Sequence, residues 1–128
     1  MAANKSAYLA NKVIDHVLGN AAYTMPGQVY LALYTSDPTV DNTGTEVTGG
    51  SYARQALDMT RTSTDGEADN DSTINFNDLP AASIGWWGIL DAATSGNLLY
   101  FGTFAGLFAA QAGDDLAIDP AKLILQER

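Results

Sequence analysis

One short segment, residues 29–34, limits the folds open to this chain more than any other part of its sequence. Its order Val-Tyr-Leu-Ala-Leu-Tyr alternates aliphatic side chains on one face of a strand with tyrosine and alanine on the other. A strand that is apolar on both faces has to be buried on both sides. Asp37 and Pro38 end the segment, and Gly49 and Gly50 open a second strand after a polar loop. The sequence therefore predicts a β-rich protein in which some strands are packed against other elements on both faces.

The composition is that of a folded, strongly acidic chain. Of its 128 residues 46% are hydrophobic and 16% charged, and 6 basic against 15 acidic residues give a formal net charge of −9. Phosphate backbones repel such a chain, so we expect no nucleic-acid partner. The absence of cysteine excludes disulfides and cysteine-ligated zinc. The longest apolar stretch, residues 98–112, is broken by glycines and too short for a bilayer, and no signal peptide opens the chain, so we expect no membrane partner.

Hydrophobic periodicity predicts one helix followed by several strands. Leu9, Val13 and Val17 recur at helical spacing and Gly19 supplies a stop, which predicts a helix over about residues 7–19. Alternating segments between turn residues predict strands near residues 28–35, 51–60, 72–77, 83–90, 97–104 and 114–125. We therefore expect a single mainly β domain over residues 1–128, an antiparallel β-sandwich or jelly-roll-like barrel with one short N-terminal helix.

The loop over about residues 36–50 is long for a domain of this size, where connections usually have about 4–6 residues. Its many threonines, aspartates and glycines cannot build a core, although Val40 and Val47 could pack against a neighbour. Two interpretations follow: a mobile surface loop, or an arm that reaches another subunit.

Adjacent aromatic residues give the best indication of an interface. Trp86 and Trp87 must point to opposite faces of a strand, and one short helix cannot cover every strand that is apolar on both faces. Because Trp and Tyr supply large contact areas with few rotatable bonds, we predict self-association through an aromatic surface. The predicted interface residues are Tyr30, Tyr34, Val40, Val47, Trp86, Trp87 and Tyr100.

No pattern in the sequence indicates a reactive centre. His16 is the only histidine and lies in the polar part of the predicted helix, and residues 49–53 lack the last glycine of a nucleophile elbow. The alternating acids of residues 65–71 fit a calcium loop poorly and are interpreted as a solvated acidic turn. We therefore predict no catalytic, cofactor-binding or metal-binding residues and no cofactor.

Four stretches of the chain together resemble a known family. They are residues 10–16, 29–39, 44–55 and 91–100. In order and spacing they are similar to small structural proteins of tailed bacteriophage virions, some labelled tail-fibre proteins and some resembling capsid cement subunits. The resemblance covers most of the chain, and it implies a place in a virion without implying any chemistry.

The resemblance and the composition together predict a non-enzymatic virion protein. The first hypothesis is a capsid cement or decoration protein. We expect it to be a homo-oligomer, with a trimer as the predicted state, fastened to the major capsid protein on the outer surface of the head after synthesis in the host cytoplasm. A tail-fibre or tail-tip subunit bound to tail proteins is the alternative. A glycan-binding module or a small glycan-cleaving enzyme stays open as a rival class.

Overall fold

The computed structural model describes residues 3–127 and is mainly β. One helix, α1, spans Ala7–Val17. The strands are β1 (Ala3–Lys5), β2 (Val29–Tyr34), β3 (Gln55–Leu57), β4 (Met59–Arg61), β5 (Glu67–Asn70), β6 (Ile74–Leu79), β7 (Ala82–Leu90), β8 (Leu98–Ala110), β9 (Asp114–Ile118) and β10 (Ile124–Gln126). All recorded strand pairs are antiparallel, so the predicted mainly β antiparallel fold with one short N-terminal helix is confirmed.

Three sheets make up the fold. The largest has five strands in the order β1-β8-β7-β2-β3, the second has three in the order β10-β5-β4, and β6 pairs with β9 in the third. The hairpin that joins β7 to β8 turns through residues 91–97, where Asp91 Oδ1 accepts a hydrogen bond from the Asn97 amide at 2.7 Å. This is the hairpin turn that the sequence predicts. An irregularity in the β7–β8 pairing lies between Ile84 and Trp86.

The five-stranded sheet carries apolar side chains on both faces. On one face Leu31, Leu33, Trp87 and Ile89 belong to the main core, to which the third sheet adds Phe76 and further side chains. The opposite face carries a second buried cluster that consists of Ala32, Tyr34, Leu90, Leu98 and Phe101. The two-faced burial predicted from residues 29–34 is therefore present.

Helix α1 is anchored at its first turn. Ser6 caps it, since its Oγ accepts a hydrogen bond from the Leu9 amide at 3.1 Å while donating to the Leu98 carbonyl of β8 at 2.5 Å. The Ala7 amide bonds to the Val40 carbonyl at 2.9 Å. The helix ends at Val17, and Gly19, with φ of 77°, follows its end. The helix therefore lies within the predicted range of residues 7–19.

Strand β5 replaces a predicted turn. The acids of residues 65–71, interpreted from the sequence as a solvated acidic turn, contribute to a strand paired on both sides, with β4 and β10. The reason is Asn70, whose buried carboxamide donates to the Ser72 and Asp119 carbonyls and accepts from the Lys122 and Leu123 amides, all at 2.9–3.1 Å. The local sequence pattern carries no signal for a hydrogen bond between residues as far apart as Asn70 and Leu123.

Candidate interaction surface

The loop of residues 36–50 is bound to its own chain along both of its limbs. The Thr35 amide donates to the Thr45 carbonyl at 2.9 Å, and the Val47 amide donates to the Leu33 carbonyl at 2.9 Å. Val47 then inserts its side chain into the main core. At the tip, Pro38 is buried and its carbonyl accepts a hydrogen bond from the Thr43 amide at 2.7 Å. The loop is therefore closed on itself, and both of its limbs pair with the same chain.

Gly44 makes this closure possible. A Cβ atom there would lie 2.5 Å from the Asp37 carbonyl oxygen and 2.7 Å from the Pro38 Cα, and backbone atoms cannot rotate away. We expect Gly44→Ala to lower the free energy of unfolding by about 1–3 kcal/mol through overpacking. Urea unfolding measures this. Gly27→Ala is the matched control, because nothing lies within 4 Å of its Cβ position. Equal stability of the two variants would contradict the closed loop.

A polar network joins this loop to two other loops. Glu46 accepts hydrogen bonds from the Arg54 guanidinium at 2.8 and 2.9 Å and from the Tyr52 hydroxyl at 2.7 Å. The remaining Arg54 nitrogen donates to the carbonyls of Ala92 and Ser95 at 2.9 and 2.7 Å. The Glu46 and Arg54 side chains are 24% and 9% exposed, so solvent screens this ion pair only in part.

The network sets the protonation of its members. Burial of the Glu46 carboxyl works against its ionisation, but hydrogen bonds from Arg54 and Tyr52 and the charge of Arg54 outweigh burial and hold the Glu46 pKa below its usual value of 4.5. Burial, followed by the hydrogen bond to Glu46, raises the pKa of Tyr52. Burial also raises the pKa of Tyr34 to about 12, with Glu46 as the next cause. All three groups are therefore fixed in one protonation state around neutral pH.

The lowered pKa of Glu46 predicts a pH-dependent mutational effect. The unfolded chain protonates Glu46 near pH 4.5 and the folded chain only below that, so the stability contributed by this carboxylate is present above pH 4.5 and is lost as the pH falls through the folded-state pKa. We expect Glu46→Gln to destabilise the chain at neutral pH and to cost progressively less as the pH is lowered below 4.5. Urea unfolding at neutral pH and at a series of lower pH values tests this, with the exposed Asp65→Asn as control. An unchanged cost at low pH would contradict the network.

Three of the predicted interface residues lie inside the chain instead. Trp87 is 0% exposed, and Tyr34 and Val47 are buried as well. Trp87 and Val47 belong to the main core, and the Tyr34 ring covers Gly88, where a Cβ atom would lie 2.9 Å from its Cε1. In this conformation these three side chains cannot contact a partner. The prediction failed for these residues because other segments of the same chain pack against both faces of the sheet, where a neighbouring subunit was expected.

The other four predicted interface residues keep some exposure. Val40 is exposed, while Tyr30, Trp86 and Tyr100 are half-buried. Trp86 packs against the second cluster and therefore lies on the sheet face opposite Trp87. Tyr100 lines an open groove of about 550 Å³ together with Leu57, Met59 and other apolar side chains. For these residues an intermolecular contact stays a prediction.

Sequence reasoning missed the most exposed apolar side chains. Ile14, Val17 and Leu18 of the α1 end, Met25 after it and Leu107 of β8 are 58–83% exposed. A helical projection could have found the first three, because the apolar residues of α1 span a wider arc than one neighbouring sheet can cover.

The polar residues considered for chemistry are engaged locally or dispersed. His16 accepts a hydrogen bond at Nδ1 from the Tyr23 amide at 3.0 Å, which ties the segment after α1 back to the helix. Within residues 3–127 no three histidine or acidic side chains are gathered to hold a metal ion. In the same part of the chain no helix is long and apolar enough to cross a membrane.

Together these features define a mainly β antiparallel protein in which the buried Ser6 and Asn70 side chains bond to the backbone and Glu46 pairs with Arg54. The family model described as Podophage GP4 fiber I protein gp80 matches residues 4–126, and the chain therefore belongs to this family of phage fibre proteins. The resemblance to structural proteins of tailed phages is thereby confirmed. No curated protein sequence matches the chain.

Proposed function

We propose that this chain is a non-enzymatic fibre subunit of a phage particle, fastened to tail proteins and to further copies of itself. The observation that carries the proposal is the match over residues 4–126 to a family described as a fibre protein. The fold supports a binding role, because the half-buried Trp86 and the exposed Val40 leave apolar surface for contacts after the core is complete. Such contacts gain avidity when several are made at once.

The polar network supports a structural role over a catalytic one. Glu46 and Arg54 form the most enclosed ion pair of the described chain. They bind each other, and Arg54 also donates to the carbonyls of two loop residues. Glu46 does line an open pocket with Arg54 and Tyr52, but both of its carboxylate oxygens already accept hydrogen bonds from those two side chains. A catalytic carboxylate has to act on the glycosidic bond of the substrate. Asp58 and Asp71 do line the groove beside Tyr100, and they are the residues that the rival hypothesis would use.

The rival class has a direct test. Under the proposal, purified protein releases no reducing ends from host polysaccharide, and Asp58→Asn behaves as the wild type does. Release that Asp58→Asn abolishes would replace the structural proposal with a glycan-cleaving one. Binding of soluble glycan without release would favour a glycan-binding module.

A capsid cement protein on the outer head surface is the second candidate, and one observation favours it. The net charge of −9 suits a surface away from the packed genome, which would repel the chain. On a capsid, a trimer could occupy local three-fold sites and contact the major capsid protein from several subunits at once.

Immunogold labelling of intact virions separates the two candidates. The fibre proposal predicts label at the tail vertex or along fibres, and label spread evenly over the head would overturn it in favour of cement. Absence of label from intact and from partly disrupted particles would overturn both. A tagged chain with unchanged urea unfolding is the control that the epitope does not disturb the fold.

A further inference from the structure

The apolar arc of α1 is wider than the strip that its own chain covers. At 100° per residue, Leu9 and Val13 lie on one flank of the helix, and these side chains are buried and half-buried. Ala10, Ile14 and Val17 lie on the adjacent flank, and all three are exposed. We call Ala10, Ile14, Val17 and the following Leu18 the helix stripe.

The helix stripe and Met25 after it contain most of the large exposed apolar side chains of the described chain. Among residues 3–127 six large apolar side chains are exposed, and four of them, Ile14, Val17, Leu18 and Met25, lie within residues 14–25. Their combined exposed area is on the order of 500 Å², which matches the largest apolar patches of soluble monomers, patches that often have a function. The first turn of α1 is held by hydrogen bonds to Leu98 and Val40, whereas Ile14, Val17 and Leu18 at its other end are exposed.

The charge around the helix stripe indicates what covers it. Residues 10–27 contain one lysine and one aspartate, whose charges cancel, in a chain with a net charge of −9. A second copy therefore meets no net charge here, although it is repelled by most of the acidic surface. A basic partner, which the net charge would attract elsewhere, finds only Asp15 to pair with. The surface suits a neutral apolar partner.

The spacing of the helix stripe makes it complementary to itself. Ala10, Ile14 and Val17 follow one another at intervals of four and three residues, the spacing by which helices pack along a common seam. Ala10 allows close approach, and the larger side chains fill the space beside it. If all of the exposed area of these side chains and of Met25 is covered, two such surfaces bury at most about 1,000 Å² in total, which is the lower limit for a specific interface.

We infer that the helix stripe is the surface by which one copy of this chain packs against a second copy, helix against helix. This inference deepens the proposed fibre role and rests on that role for its biological setting. It moves the self-association site away from the aromatic residues of the sheet. A contact of this size is reversible in solution and gains strength in a particle, where several copies are held together.

Light scattering across a size-exclusion peak tests the inference at two protein concentrations. We expect the wild type to show at least twice the chain mass of 13.5 kDa at near-millimolar concentration and to dissociate on dilution. Val17→Lys should weaken association about 100-fold. Leu107→Lys is the matched control, since Val17 and Leu107 are 72% and 69% exposed and both variants gain one positive charge. The control should keep the wild-type mass.

Three outcomes would overturn the inference: a wild type that stays monomeric at every concentration, a Val17→Lys variant that still associates, or a Leu107→Lys variant that dissociates equally. Urea unfolding of dilute samples checks that both variants fold. Because the chain has no cysteine, Val17→Cys gives an independent readout. Oxidation should cross-link Val17→Cys into dimers and leave Leu107→Cys largely monomeric, and the reverse would also refute the contact. A failure here leaves the virion labelling result untouched.

Discussion

Truncation of Trp87 to alanine should lower the free energy of unfolding by about 3–5 kcal/mol. The side chain is completely buried in the main core among Leu31, Leu33 and Phe76, and its removal leaves a cavity that the three surrounding sheets cannot close without disrupting their pairing. Urea unfolding followed by circular dichroism measures the change. Because a loss of this size is a large part of the stability of a small domain, we also expect a lower Tm and a lower soluble yield.

Trp86→Ala is the internal control for this prediction. Trp86 occupies the next position on the same strand, but it is half-buried against the second cluster, so its truncation should cost clearly less. If the two variants unfolded at the same urea concentration, the assignment of Trp87 to the core and Trp86 to the outer face would be wrong.

A second substitution at position 87 separates the effect of side-chain volume from that of polarity. Among the described residues no protein group accepts a hydrogen bond from Trp87 Nε1. An unpaired buried donor costs about 1–3 kcal/mol, so Trp87→Phe loses volume but also removes this penalty. We therefore expect Trp87→Phe to retain well over half of the stability that Trp87→Ala loses.

Replacement of Arg54 by methionine should destabilise the chain by about 2–3 kcal/mol. The substitution leaves the partly enclosed Glu46 carboxylate without its counter-ion and releases the Ala92 and Ser95 carbonyls of the β7–β8 turn. Urea unfolding at neutral pH gives the size of the effect.

Two further variants show whether the effect comes from this network. Arg54→Lys keeps the charge but loses the planar fork, so it should recover only part of the stability. In Arg54→Met combined with Glu46→Gln, the second substitution should add little cost, because no uncompensated carboxylate remains. Purely additive losses in the double variant would show that the two side chains do not stabilise each other.

The loop of residues 36–50 shows how far local reasoning reaches. Its polar composition predicts a surface loop or an arm, and its residues do lie between β2 and β3. Composition cannot reveal that Pro38 is buried, or that Val47 reaches the main core and Arg54 ties Glu46 to the β7–β8 turn. Deletion of this loop should therefore lower the free energy of unfolding, because it removes buried side chains as well as shortening the connection between β2 and β3.

The sequence by itself determined the features that depend on neighbouring residues. Alternation in residues 29–34 predicted a sheet apolar on both faces, Gly19 predicted the end of α1, and the residues between Asp91 and Asn97 predicted the hairpin turn. These are local effects, because side-chain periodicity and turn chemistry act over two to seven residues. The adjacent tryptophans likewise had to point to opposite faces.

Only the tertiary structure decided which side chains the chain covers for itself. The Tyr34 ring is buried against Gly88, and Val47 is buried where the loop of residues 36–50 returns to the main core. Neither contact is visible in the local sequence pattern. The helix stripe is exposed because α1 packs on the rest of the chain through the neighbouring flank that carries Leu9 and Val13. Burial depends on contacts between distant segments, and the pattern within any one segment fixes its apolar faces without fixing what packs against them.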